Sequence, residues 1–222
     1  MNVGSTSIRI GTWNLAGRWD ARHLALIEQM DCDLLLLTEV SDRVELPEHE
    51  MHVGQHMSAK RRWAAVASRG GLSPLEAPHG ASACAEVSGV RVCSSVLPWR
   101  GCGDQPPWQG SNTAERTAGA VADIAGSRPQ VWGGDWNHSL SGPEWAGSKA
   151  GRSSVLATVD ALGLQVPTAL LPHRLTDVLS IDHIAVPTTW QVSPATRVDA
   201  TGLSDHDAYV VETRPSDSHP AS

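Results

Sequence analysis

The segment Gly133-Gly134-Asp135-Trp136-Asn137 breaks off the apolar approach Val131-Trp132. Along an extended chain, residues two apart project to the same side. Asp135 and Asn137 therefore present an acid and an amide together from a strand end, with Trp136 turned back into packing, and a glycine pair lets the backbone come close to another group. Other strand ends carry residues of the same chemical kind. Asn14 closes Thr12-Trp13-Asn14, Glu39 closes Leu36-Leu37-Thr38-Glu39, Asp182 sits in Ile181-Asp182-His183, and Asp205 and His206 sit in Ser204-Asp205-His206-Asp207. Taken singly, such residues serve as turn formers, solvated charges or caps. Taken together, they offer hard oxygen ligands and a carboxylate-histidine couple.

The elements that must position these residues follow from periodicity. Ile8 to Ile10 alternates as a strand, Asp20 caps a helix carrying Leu24, Ile27 and Met30, and Leu34 to Leu37 is the continuous apolar run of a strand covered on both faces. Strand, helix, strand is the first unit. From Trp63 to Leu97 three short apolar segments, WAAVAS, SACAEV and VRVCSSVL, read as an antiparallel meander. Asn112, with Glu115 three residues on, starts a helix to about residue 125. Ser153 or Ser154 caps another, stopped by Gly163, and strands are expected at 181–186, 191–198 and 208–213. Residues 8–213 read as one domain, with flexible tails at 1–7 and 214–222.

A formal charge of −7 argues against a generic nucleic-acid coat, whose binding rests on Lys and Arg. It suits carboxylates gathered about a divalent cation. The four cysteines have no zinc-site spacing and read as buried thiols, although a turn at Ser88-Gly89 would set Cys84 opposite Cys93 and permit a disulfide. No apolar run is long enough for a membrane span and no secretion signal is evident, so the chain is expected to be cytoplasmic.

The order TWN, TE, GDWN, IDHI and SDH resembles the endonuclease/exonuclease/phosphatase superfamily over roughly residues 8 to 213, with GDWN standing for that family's GDFN. The resemblance implies an α/β, four-layer α/β/β/α sandwich of two mixed, mostly antiparallel sheets, with the site where strand-end loops converge. It implies a Mg²⁺-dependent site, with Mn²⁺ as an alternative, in which Glu39 is the principal metal ligand beside Asn14 and Asp205. Asp135 would orient or deprotonate the attacking water, and Asn137 would donate to the phosphate. His206 would pair with Asp182 as phosphate binder or proton donor, and the glycine pair would approach the scissile phosphate.

One family position departs from the pattern. Val96 falls where many members place a phosphate-supporting His; Arg100, which follows closely, is read either as the substitute donor or as an ordinary exposed strand-end Arg. His138 reads as a solvated loop residue, with substrate contact as the alternative, and His183 as a supporting one. The basic run Lys60-Arg61-Arg62 reads as a solvated edge, with Trp63 starting a core strand. The expected activity is that of an endo- or exonuclease on DNA or RNA. A phosphatase or phosphodiesterase for a small or lipid phosphate, and an inactive binding module of the same fold, are the alternatives.

Overall fold

Four consecutive leucines are divided by parity in the computed structural model, which describes residues 7–215. Leu35 and Leu37 face a core containing Leu26, Ile27 and Met30 of a helix, while Leu34 and Leu36 face a core shared with a second sheet. Side chains alternate along a strand, so a strand apolar at every position must be covered on both sides.

The elements run β1 (Ile8–Asn14), α1 (Ala21–Met30), β2 (Leu34–Ser41), β3 (Glu50–Val53), β4 (His56–Ser58), β5 (Arg61–Ser68), β6 (Ser73–Leu75), β7 (Ser82–Val87) and β8 (Val90–Ser95). Then come α2 (Thr113–Ser127), β9 (Val131–Asp135), α3 (Lys149–Ala161), β10 (Leu164–Gln165), β11 (Asp182–Pro187), β12 (Gln191–Val192), β13 (Thr196–Val198) and β14 (Ala208–Arg214). One sheet has the order β12-β14-β1-β2-β5-β3, with β13 also on β14 and β4 on β5; the other has the order β10-β11-β9-β8-β7-β6. The pairs β1/β2 and β8/β9 are parallel, each joined through a helix, and the other pairs are antiparallel.

Three cores fill the three gaps between four layers. Helix α1 covers the outer face of the first sheet. Ile10, Leu36 and Val66 meet Val92, Val131 and Ile184 between the sheets. Ala120, Val121 and Ile124 of α2 and Val155 and Val159 of α3 cover Cys93, Trp132 and Ala185 on the outside of the second. The architecture is the α/β/β/α sandwich.

The expected single meander is divided: β5 belongs to the first sheet, and β7 and β8 to the second. Ala64 and Val66 pack face to face on Ala83 and Ala85, so segments adjacent in sequence meet across the core rather than edge to edge. The turn at Ser88-Gly89 has φ of 51° and 79°, as a two-residue primed turn requires, and sets Cys84 opposite Cys93 as free thiols. Helix α3 starts earlier than Ser153: Ser148 is its cap, accepting from Gly151 N at 3.0 Å. The strand expected at 191–198 is two short ones, each paired with β14. Within the expected tails, Ser7 donates to Glu212 at 2.6 Å, Arg214 ends β14 and Pro215 follows it; positions 1–6 and 216–222 lie outside the described residues. Among the described residues no helix is long and apolar enough to cross a membrane.

Candidate active site

Register brings the strand-end residues together. In the parallel pair β1/β2, Asn14 lies beside Thr38, so Glu39 follows at the same edge. In the antiparallel pair β11/β9, Asp182 lies opposite Asp135. The loop before β14 delivers His206 and is tied to the end of β1. Ser204 Oγ donates to Asn14 O at 2.7 Å, His206 N donates to Ser204 Oγ at 3.1 Å, and Trp13 Nε1 donates to His206 O at 3.2 Å. Buried Asp207 holds the same loop from behind through Ala200 N and an ion pair with Arg197.

The resulting network crosses from one sheet to the other. Asn14 Nδ2 donates to Glu39 Oε1 at 3.2 Å and to Asp135 Oδ2 at 2.9 Å, while its Oδ1 accepts from Ala16 N at 2.8 Å. His206 Nδ1 pairs with Asp182 Oδ2 at 2.8 Å, and its Nε2 stands 3.9 Å from Asp135 Oδ2. Glu39 has φ +49°, the left-handed region that a side chain enters at a cost of about 1–3 kcal/mol. The ladder with β5 skips it, running from Thr38↔Ala64 to Val40↔Arg62.

The charges are strongly coupled. Burial is the main cause that pushes the Asp135 carboxyl up, aided by Asp182 and Glu39 and opposed by His206 and Asn14, to about 7. Burial alone would lower His206, but Asp182, Asp135 and Asp205 outweigh it and raise the imidazole to about 10. At neutral pH the ring is therefore an imidazolium held against the Asp182 carboxylate, with the raised Asp135 carboxyl on its other side.

The donor set fits a hard divalent cation. Glu39 and Asp135 supply carboxylate oxygens on either side of Asn14, and Asp182 Oδ1 is buried with no hydrogen-bond partner. Asp135, Asp182 and His206 also bring one ligand-type atom each within 4.8 Å of the others. In that trio, however, His206 Nδ1 is already engaged with Asp182, which favours proton chemistry there and cation binding on the Glu39 side.

The remaining expected residues take varied places. Asp205 is exposed at the rim, its Oδ1 3.4 Å from Ser204 Oγ, whose hydrogen goes to Asn14 O. Asn137 is buried at φ +53°; its backbone N donates to Asp135 Oδ1 at 3.1 Å, and its Nδ2 donates to Leu97 O at 3.0 Å. Arg100 is exposed on the loop after β8 and fixed by its backbone N to Ala146 O. Among the described residues its guanidinium makes no hydrogen bond or ion pair, so the structure does not bring it into the network. Val96 is buried.

Two expectations, for His138 and for the basic run, differ from the structure. His138 is fully buried, not solvated: its Nδ1 contacts Trp136 O at 2.7 Å and its Nε2 accepts from Ser148 N at 3.3 Å. The glycine pair is closely packed against neighbouring strands. A Cβ on Gly133 would lie 2.5 Å from His183 O, and one on Gly134, at φ +119°, would collide with Ser95 O. The basic run is not simply a solvated edge, because Arg61 Nη1 pairs with Glu39 Oε2 at 2.6 Å and Arg62 pairs with Asp42. Trp63 does enter the core, and Trp136 is buried against Trp132.

Arg61 is the site residue the sequence reading missed. The signal that could have found it is the antiparallel β2/β5 register, which sets Arg61 opposite Ser41, two residues beyond Glu39. His183 supports the site from below, its Nε2 on His138 O and its Nδ1 near Thr168. His173, also not singled out, is buried between Trp145 and His206, with ring centroids 4.8 and 6.2 Å away.

The model of the Endonuclease/Exonuclease/phosphatase family matches residues 11–206. The endonuclease domain of TRAS1, a telomere-specific non-LTR retrotransposon, superposes with a TM-score of 0.67 at 15% identity, covering 94% of this chain and 99% of that one. AP endonuclease LMAP from Leishmania major gives 0.69 at 12% identity over 95% and 88%. An endonuclease/exonuclease/phosphatase from Beutenbergia cavernae DSM 12333 gives 0.65 at 15% identity over 97% and 73%. At these identities the likeness is one of fold. No curated protein matches the chain in sequence.

Proposed function

The chain belongs to the endonuclease/exonuclease/phosphatase family, and from that premise we propose that it is a divalent-metal-dependent phosphodiester hydrolase acting on nucleic acid. The observation that carries this reading is the continuous line Glu39–Asn14–Asp135–His206–Asp182, assembled from the ends of β1, β9 and β11, from Glu39 within β2 and from one loop.

A phosphodiester resists hydrolysis because its negative charge repels nucleophiles and its leaving oxygen is poor. Asp135, with a carboxyl near 7, is matched to take a proton from water at neutral pH. Asn14 and the backbone N–H of Asn137 hold its two oxygens in place and leave lone pairs free. His206, kept protonated by Asp182, can donate from Nε2 to a phosphate oxygen or to the leaving group. Mg²⁺, or Mn²⁺ in its place, held by Glu39 with Asp205 at the rim, would supply Lewis-acid neutralisation of the phosphate. Asn14 acts as the aligner of the two carboxylates, because its oxygen faces Ala16 N and its amide hydrogens face the acids.

The test is a substrate panel of labelled single- and double-stranded DNA, RNA and phosphomonoesters, each with Mg²⁺, Mn²⁺ or chelator. Metal-dependent cleavage of a nucleic acid is expected. Turnover of phosphomonoesters alone would assign a phosphatase, and no turnover in any lane would assign a binding module.

A further inference from the structure

Arg61 lies in a cation socket built around Glu39. Its Nη1 pairs with Glu39 Oε2 at 2.6 Å and its Nη2 donates to Ala16 O at 3.2 Å. The socket floor is Gly17, where a Cβ would collide with the guanidinium. Ala16 and Gly17 have φ of 50° and 68°, and Gly17 N donates to Glu39 O at 2.8 Å, so the turn is fastened to the backbone of the acid itself. Two consecutive left-handed residues beside a third at Glu39 make this a specified arrangement rather than a surface encounter. The guanidinium takes one Glu39 oxygen and Asn14 takes the other.

The same carboxylate is the strongest candidate to hold the divalent cation. Two positive groups crowded onto one carboxylate repel each other enough, even at the dielectric of water, to shift an equilibrium on the order of tenfold. Arg61 is about one-third exposed (35%), so its side chain has a path to swing away from Glu39. A guanidinium released at the edge of this cleft is suited to a phosphate, which it can bind through two parallel hydrogen bonds.

We propose that Arg61 is a resident cation of the site: it pairs with Glu39 in the metal-free protein, yields when the divalent ion binds, and then donates to the phosphate of the substrate. Metal loading and phosphate binding are thereby coupled through one side chain. The inference rests on the reading of Glu39 as a metal ligand.

The experiment is calorimetric titration of Mg²⁺ into chelator-stripped wild type, Arg61→Gln and Arg61→Lys, followed by inorganic phosphate titrated into each Mg²⁺-saturated protein. Arg61→Gln is expected to bind Mg²⁺ about tenfold more tightly and phosphate about tenfold more weakly than wild type. Arg61→Lys keeps the charge but loses the fork that spans Glu39 and Ala16, and should fall between the two for both ligands. Should Arg61→Gln fail to fold, the lysine variant carries the test. Equal or weaker Mg²⁺ binding by the variants overturns the competition, and undiminished phosphate binding overturns the transfer to substrate. A wild type that binds Mg²⁺ while its variants do so identically sinks this inference alone. Absence of Mg²⁺ binding in all three sinks the metal reading of Glu39 with it.

Discussion

His206 Nδ1 lies 2.8 Å from Asp182 Oδ2, while the other oxygen of the same carboxylate is buried without a hydrogen-bond partner. The negative charge of Asp182 is thus directed at one ring. It leads the groups that raise the imidazole to about 10 against its own burial. Because the folded value exceeds the usual 6.5, the stability contributed by the imidazolium is fully present below pH about 6.5 and lost as pH rises through about 10. Asp182→Asn should return His206 toward its ordinary range and lower activity at pH 8.5 by about 10²–10⁴. A pH titration of the ring by NMR checks this, and a variant whose His206 still titrates near 10 would show that Asp182 is not the cause.

Gly134 tests whether the glycine pair belongs to packing. Its φ of +119° and the clash of any Cβ with Ser95 O leave no room for a side chain, so Gly134→Ala should destabilise by about 3 kcal/mol or more. Gly163 is the control. It has φ +65° with nothing within 4 Å of a Cβ, so Gly163→Ala should lose only about 1 kcal/mol. Chemical denaturation of both variants decides the matter. Equal losses would mean that the fit of β9 against β8 does not constrain residue 134.

Much of this site was legible because its residues sit where local patterns change. Asn14, Glu39, Asp135, Asp182 and His206 each mark the end of an apolar run or the start of one, and strand ends can be read without knowing which strands pair. The layers were legible where parity or a cap is strong, as with Leu34 to Leu37 or Asp20, which accepts from Arg22 N and His23 N. What stayed hidden depends on pairing. Arg61 reaches Glu39 only through the β2/β5 register, and β5 parts from β7 because its apolar face meets the other sheet. His138 looks like a loop residue until Gly147 and Gly151 are seen to open the space it fills; a Cβ on either would collide with its ring. Strands of two to four residues such as β3, β6 and β10 are too short to show a period.

The start of α3 gives a separate test. Ser148 accepts from Gly151 N at 3.0 Å, whereas Ser153 and Ser154 lie inside the helix and donate back to Lys149 O and Ala150 O. Loss of an N-cap costs about 1 kcal/mol, while alanine within an exposed helix is neutral or favourable. Ser148→Ala should therefore lower Tm by about 2–4 °C, with Ser153→Ala and Ser154→Ala unchanged or higher. Thermal melts that reverse this order would place the cap where the sequence pattern first suggested.

Asp135 sets activity against stability. Its folded carboxyl is raised from 3.8 to about 7, chiefly by burial, so the protonated form is the one folding favours. That contribution is present below pH about 3.8 and lost as pH rises through about 7, which leaves the metal-free protein holding a costly buried charge at pH 8. Asp135→Asn removes the charge and keeps one acceptor oxygen, enough for the backbone N–H of Asn137 but not also for Asn14 Nδ2. In chelator at pH 8 its Tm should exceed that of wild type by at least about 2–4 °C, equivalent to about 1 kcal/mol, with the gap closing toward pH 4 and turnover abolished throughout. A lower Tm at pH 8 would mean that His206 already compensates the charge in full. Added Mg²⁺ should raise wild type more than the variant, since a cation bound on the proposed Glu39 side offsets the Asp135 charge that the variant lacks.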